Sequence, residues 1–83
     1  MLNIKYFASL RERLDSGGEL LSLPADIATI GQLRGHLAMR GGEWARLTAM
    51  KNLRCARNQS MADDATAIVD GDEIAFFPPV TGG

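Results

Sequence analysis

The end of the chain carries the residues with the clearest chemical potential: positions 76–83 read FFPPVTGG. Proline has a fixed φ and no backbone N–H, so strand pairing cannot continue past Pro78. The segment from Pro78 to Gly83 is therefore predicted to project from the domain as an arm of up to about 20 Å. Because Gly82 and Gly83 lack side chains, their backbone can enter a channel too narrow for any Cβ atom. The sequence thus predicts a terminal carboxylate at the tip of a narrow arm.

The carboxylate of Gly83 is the candidate reactive group. A terminal carboxyl group ionises with a pKa of about 3.5, so at neutral pH it is an anion and a poor electrophile. A partner enzyme must therefore activate it. The alternative is that the two glycines form only a frayed terminus, but the two prolines at the start of the arm favour a functional one.

Other reactive side chains have simpler interpretations. Cys55 is the single cysteine, and with no partner thiol at ligand spacing it is predicted to be a buried structural residue. His36 has no second ligand at metal spacing. The acidic residues near 63–64 and 70–73 are typical of turns, and there is no phosphate-binding loop or Ser/His/Asp set. No metal site is predicted.

Length and charge narrow the function classes further. The chain has 83 residues, of which 46% are hydrophobic, and a net charge of −1. A chain of this size builds one small core and lacks room for an enclosed cofactor pocket, which argues against a self-sufficient enzyme. The balanced charges predict no binding to nucleic acid or to an anionic membrane. With neither a signal sequence nor an apolar run of about 18 residues, a cytoplasmic protein without a membrane span is expected.

The strand that must hold the arm is predicted at Glu73–Phe77, after the turn signal DGD, with Ile74 and Phe76 facing the core. Alternation over residues 2–7 predicts a first strand whose inward residues are Leu2, Ile4 and Tyr6. Further strands are predicted at 19–23, paired with the first strand, and at 53–58, before a turn at 58–60.

Two capping-box spacings predict helix starts, one at Ser9 and Glu12 and the other at Thr29 and Gln32. The second opens the main helix, whose apolar stripe recurs at helical period and whose end is predicted at Gly41-Gly42. One further helical turn is predicted between Trp44 and Met50. The fold class is therefore α+β, with one main helix across one face of a mixed sheet.

The segment from Asp70 to Gly83, DGDEIAFFPPVTGG, closely resembles the end of the small, sulfur-carrying subunits of molybdopterin synthase. Weaker matches extend the resemblance over most of the chain; they are Tyr6-Phe7-Ala8, Leu10-Arg11-Glu12, Trp44-Ala45 and Asn58-Gln59.

The resemblance implies a ubiquitin-like β-grasp domain at residues 1–77 and an extended C-terminal tail at 78–83. It also implies that an E1-like enzyme adenylates Gly83 with ATP and converts it to a thiocarboxylate, a 1-thioglycine. The sulfur then helps to form the dithiolene of molybdopterin from cyclic pyranopterin monophosphate. The chain itself is expected to bind no cofactor.

By the same resemblance, the partner is the large, catalytic subunit of molybdopterin synthase, in a heterotetramer with two large subunits in the middle. The tail residues Pro78, Pro79, Val80, Thr81 and Gly82 insert into that subunit ahead of Gly83. The small subunit is then a sulfur-donating cosubstrate more than a catalyst.

A docking surface is predicted on the sheet face opposite to the core. Alternation places Phe7 and Phe77 there. Met61 could extend this surface and Arg11 could contact a partner at its rim, and the resemblance implies that both residues face the partner. The alternative for the two phenylalanines is that the tail or a loop covers them. Lys51, Arg54 and Arg57 form a basic cluster, which contacts either an acidic partner or only solvent.

Three other functions share these features. A sulfur carrier for the thiazole of thiamine has the same fold and tail logic. A ubiquitin-like protein modifier would join Gly83 to a lysine through an isopeptide bond. A β-grasp interaction module would have an inert tail.

Overall fold

The structure is a computed structural model that describes residues 1–79. This part of the chain forms five strands, three α-helices and a 3-10 turn at Gly42–Ala45. In chain order the elements are β1 (Leu2–Tyr6), α1 (Ala8–Leu14), β2 (Gly18–Leu21), α2 (Ile30–Ala38), α3 (Arg46–Ala49), β3 (Arg54–Arg57), β4 (Ser60–Ala62) and β5 (Glu73–Phe77).

The strands form one mixed sheet in the order β2-β1-β5-β3-β4. β1 and β5 are parallel neighbours in its middle, and all other pairs are antiparallel. The last strand is therefore held on both sides. This central position anchors the base of the tail, and the α+β class predicted from the sequence is confirmed.

The core lies between one face of the sheet and the helices. The inward residues of β1 and β5 are fully buried, as their alternation predicts, and α2 adds an apolar stripe that is also fully buried. Shorter helices complete the same cluster, whose helical members are Leu10, Leu14, Ile30, Leu33, Leu37 and Leu47. All helices that contribute to the core thus pack on one side of the sheet.

The main helix α2 begins where its capping box predicts. The Thr29 hydroxyl accepts a hydrogen bond from the Gln32 amide at 3.2 Å, and the Gln32 side-chain oxygen accepts one from the Thr29 amide at 3.2 Å. The next two amides donate to the segment after β4: Ile30 to the Thr66 carbonyl at 3.0 Å and Gly31 to the Asp64 carbonyl at 2.9 Å. The helix start is thereby satisfied.

The first capping-box prediction is wrong. Ser9 lies inside α1, and the N-cap is Phe7, which makes no side-chain cap hydrogen bond. The reason is tertiary, because the Phe7 amide donates to the Phe76 carbonyl at 3.2 Å and so extends the β1–β5 pairing up to the helix start.

The predicted glycine cap of the main helix is also wrong. α2 ends at Ala38, and its C-cap is Met39, in a right-handed helical conformation. Gly41 and Gly42 do have positive φ values of 79° and 57°. They use this freedom to open the 3-10 turn, which starts the second helical segment predicted between Trp44 and Met50.

β4, a strand of three residues, is not predicted from the sequence. It forms a hairpin with β3 through Asn58 and Gln59, both at positive φ. The turn itself was predicted, but Ser60–Ala62 is too short to show a periodic signal.

Candidate functional site

The face of the sheet that points away from the helices is formed by alternate strand residues. Lys5 of β1 pairs directly with Ala75 of β5, which pairs with Ala56 of β3, which in turn pairs with Met61 of β4. Directly opposed residues point to the same side of a sheet, so these four form one row. With a second row at the strand ends they make the surface we call the open face, which comprises Lys5, Phe7, Arg54, Ala56, Met61, Ala75 and Phe77.

The second row carries the aromatic residues. Phe77 pairs directly with Arg54, and Phe7 follows the last paired residue of β1. Phe7 is 45% exposed and Met61 63% exposed, while Phe77 is half-buried. The predicted side of the sheet is thus observed for Phe7 and Phe77, with Met61 on the same face. Their contact with a partner stays a prediction.

Arg11, the fourth predicted contact residue, is exposed on α1. A Cβ atom built on Gly17 would lie 3.1 Å from its Cζ atom, so the guanidinium packs beside the loop that leads into β2. Arg11 therefore lies beside the β1–β2 edge of the sheet, on a helix of the covered side, and not in the two rows of the open face.

The root of the tail lies at the end of β5. Pro78 and Pro79 are half-buried and line a shallow groove of about 330 Å³ with Met50, Lys51 and Asn52. The remaining predicted tail residues, Val80, Thr81, Gly82 and Gly83, lie outside the described residues.

The predicted basic cluster divides into two parts. Arg57 points to the buried Asp72, to which its Nε donates at 2.9 Å. Lys51 and Arg54 are exposed and line a groove of about 410 Å³ beside β3 and β4. Only the latter two remain available to a partner.

Asp72 fixes the turn that leads into β5. Its carboxylate is 5% exposed and accepts hydrogen bonds from the Arg57 side chain, from Asn58 Nδ2 at 3.0 Å and from the Val69 amide at 2.9 Å. Burial by itself would raise the pKa of this carboxyl group, but the three donors outweigh it and hold the pKa below its usual range. Sequence analysis classed Asp72 only as a turn residue.

A second polar cluster supports the opposite end of β1 and was not found from the sequence. The Tyr6 hydroxyl donates to Glu19 at 3.1 Å, and Arg40 holds the same carboxylate through two bonds of 2.7 and 2.8 Å. Burial raises the pKa of Tyr6, and the Arg40 hydrogen bonds lower that of Glu19. The Arg40 guanidinium also lies 4.4 Å from the ring centre of Trp44, which packs edge-on against Tyr6. The partners lie far apart in the chain, so spacing gave no signal.

Other candidate groups lie apart from the open face. Cys55 is buried, as predicted; burial raises the pKa of its thiol, and its sulfur donates to the Ala62 carbonyl at 3.3 Å. Residues 1–79 contain no cluster of three His, Cys, Asp or Glu side chains placed to hold a metal ion. Within the same range, no helix is long and apolar enough to cross a membrane.

Comparisons with known proteins agree with this architecture. Residues 4–83 match the model of the ThiS family. Over 83 residues, covering all of both chains, the sequence is 45% identical to the molybdopterin synthase sulfur carrier subunit of Haemophilus influenzae. The fold has the ubiquitin-like β-grasp arrangement that the resemblance implied.

Two solved structures show the same fold. One is small archaeal modifier protein 1 of Haloferax volcanii, with a TM-score of 0.74 and 28% identity over 95% of this chain and 97% of that one. The other is in a complex of subunits 1 and 2 of the molybdopterin-converting factor of Helicobacter pylori; its TM-score is 0.66 at 20% identity, covering 99% of this chain and 97% of that one.

Proposed function

The chain belongs to the ThiS family, and from that membership we propose that it is the sulfur carrier subunit of a molybdopterin synthase. The observation that carries the proposal is the similarity along the whole chain to a sulfur carrier subunit of that enzyme. The central position of β5 supports it, because a strand held on both sides gives a fixed base to the residues that follow it.

The proposed chemistry takes place at Gly83 and is supplied by partners. An oxygen of its carboxylate attacks the α-phosphate of ATP on an E1-like enzyme, which releases pyrophosphate and leaves a glycyl adenylate. Hydrosulfide then attacks the acyl carbon and displaces AMP, which leaves a thiocarboxylate at Gly83 and releases a proton. In this scheme ATP belongs to the activating enzyme, and this chain contributes reach and docking.

The proposed acceptor of the sulfur is cyclic pyranopterin monophosphate, held by the large subunit of the synthase. Two sulfur deliveries complete the dithiolene, so a carrier must dock and leave repeatedly. The open face suits this role, since its apolar centre is small and Ala56 and Ala75 provide a low floor between taller side chains.

Intact mass spectrometry tests the proposal. The protein is incubated with an E1-like activating enzyme, ATP and a sulfur source, beside a variant that lacks Gly83. Because oxidation of one of the 4 Met residues adds nearly the same mass as an oxygen-to-sulfur exchange, the product is trapped with a thiocarboxylate-selective alkylating agent. Alkylation of the wild type alone is the expected result. An unmodified wild type, with an enzyme that is active on a known carrier, would contradict the proposal.

A protein modifier is the second candidate function, favoured by the fold shared with small archaeal modifier protein 1. In that case Gly83 would end in an isopeptide bond to a lysine of a target protein, and cell extracts would contain a ladder of conjugates that the Gly83 deletion abolishes. A pull-down distinguishes the thiamine-thiazole carrier from the molybdopterin synthase carrier, since the former would bind thiazole synthase and the latter the large synthase subunit.

A further inference from the structure

Two cations lie beside the root of the tail without an acidic partner in the described part of the chain. We propose that Lys51 and Arg54 form a basic lip that pairs with carboxylates on the large synthase subunit, around the opening that receives the tail. This inference rests on the proposed function and specifies the chemistry of the partner surface.

The position of the two side chains is set by the fold. Arg54 is paired directly with Phe77, the last residue of β5. Lys51 lines the groove that contains Pro78 and Pro79, and it shares a second groove with Arg54. Both side chains are exposed. Any protein that takes in the tail therefore comes close to both cations.

The remaining charges explain why this pair stands out. Five of the nine Lys and Arg residues form ion pairs with carboxylates inside residues 1–79; they are Lys5, Arg34, Arg40, Arg46 and Arg57. Two carboxylates line the same groove as the lip, but they bind elsewhere. Asp64 accepts from Arg34 at 2.7 Å, and Asp63 accepts from the Ala65 amide at 2.9 Å.

An anionic substrate is a poorer occupant for the lip than a protein carboxylate. The four residues after Pro79 can place Gly83 up to about 13 Å from the root of the tail. A substrate phosphate that lies at the reacting end of the tail is then remote from Lys51. What lies next to the lip is the rim of the receiving protein.

The lip would supply long-range attraction that the rest of the open face lacks. Contacts of Phe7, Met61 and Phe77 act only after the surfaces have met, whereas unpaired charges act over a Debye length of about 8 Å at physiological salt. Charges at the rim of an interface mainly change the association rate and its salt dependence. The lip is therefore a steering device for repeated docking.

The test compares association rate constants with the large subunit at 50 and 500 mM NaCl. The variant K51E/R54E reverses both charges of the lip, and R13E is a control that reverses one charge outside it. Arg13 is also exposed, but it lies on α1, where its charge acts on Glu43 at the helical side of the molecule. Thermal unfolding checks that the variants are folded, and K51Q/R54Q replaces the charge reversal if that variant is not.

We expect the lip variant to associate about tenfold more slowly than wild type at 50 mM NaCl, with the difference falling to less than about twofold at 500 mM. R13E should stay within about twofold at both salt concentrations. Equal rates for wild type and the lip variant, or a difference that salt does not reduce, would overturn the inference. So would a salt-dependent dimer of this chain that the lip variant abolishes, because the carboxylates would then belong to a second copy.

Failure of the inference is distinguishable from failure of the proposed function. A wild type that gains sulfur at Gly83 and binds the large subunit, while the lip variant associates equally fast, refutes only the basic lip. A wild type that does neither refutes the sulfur carrier function itself.

Discussion

Single residues decide how the open face is used. Phe7 and Met61 expose large apolar side chains on the open face, and Leu20 of β2, which pairs with Asn3, is exposed on the same side of the sheet. Exposed apolar residues that cluster on one face are typical of binding surfaces. Substitution of Phe7 or Met61 should therefore weaken binding to a partner and leave the stability of the fold nearly unchanged.

We expect Met61→Asp to weaken binding to the large synthase subunit by about tenfold to a hundredfold, since it places a desolvated charge in an apolar contact. The melting temperature should change little because the side chain is exposed. Isothermal titration calorimetry measures the affinity. Met39→Asp is the control, since Met39 is 86% exposed and extends from the end of α2; an equal loss in both variants would contradict the assignment of the surface.

Asp72 is expected to make stability depend on acid pH. Its folded-state pKa lies below the unfolded value of about 3.9, so the ionised carboxylate stabilises the fold above that pH. The contribution is lost as the pH falls through the lower, folded-state pKa. Chemical unfolding of wild type and Asp72→Asn at a series of pH values from 7 to 2 measures the difference.

At pH 7 we expect Asp72→Asn to lower the free energy of unfolding by about 1–3 kcal/mol. The carboxylate accepts hydrogen bonds from three donors, and the amide that replaces it has only one oxygen to accept them. The difference should shrink as the pH falls below about 3.9, through the lowered pKa of the folded-state carboxyl group. Asp26→Asn, at an exposed position, controls for the loss of one charge. A difference that stays constant down to pH 2 would argue against the pKa effect.

At the level of elements, the two capping-box sequences offer a direct comparison. Both have the same spacing, but only Thr29 and Gln32 form the reciprocal bonds, while Ser9 lies inside α1. Thr29→Ala should lower the free energy of unfolding by about 1 kcal/mol. Ser9→Ala should change it by less than about 0.5 kcal/mol. Urea unfolding followed by circular dichroism tests both, and equal losses would contradict the assigned caps.

The same pair shows how far the sequence predicts the elements. The β5 bounds follow from the turn before Glu73 and from Pro78 after Phe77. The inward residues of β1 follow from alternation, because every second residue of a strand points to the same face. The start of α1 does not follow, because it is fixed by a bond from Phe7 to Phe76, which is remote in sequence. The three-residue β4 is too short for any period to be read.

In the candidate site, too, some features follow from local sequence pattern and others depend on contacts between residues remote in sequence. The face that carries Phe7 and Phe77 could be predicted from alternation within each strand. Alternation also places Arg57, three residues after Arg54, on the other face of β3. Its ion pair with Asp72 across the end of the sheet could not be predicted, since the two residues are remote in sequence. Local pattern thus predicts which side a residue faces, whereas long-range contacts determine which charges remain available.

For the molecule as a whole, the parallel pair β1–β5 joins the beginning of the chain to its end. Phe76 is fully buried in this pair and stacks on Tyr6 at a ring separation of 6.3 Å. We expect Phe76→Ala to lower the free energy of unfolding by about 3–5 kcal/mol, a large share of the 5–15 kcal/mol typical of a domain.

Urea unfolding of Phe76→Ala measures this loss. Phe7→Ala is the matched control, because the exposed aromatic ring is removed without opening a cavity in the core. A Phe76→Ala variant as stable as the Phe7→Ala variant would mean that β5 is not the central support of the sheet.

Trp44 gives the protein an intrinsic fluorescent probe of its folded state. It is the only tryptophan of the chain, and it packs between Tyr6 and the Arg40 guanidinium on the side of the sheet that the helices cover. Its fluorescence should therefore change when the fold is lost and stay nearly constant when a protein binds the open face. With a partner that contains no tryptophan, intrinsic emission can follow unfolding of this chain even in a mixture where docking is under way.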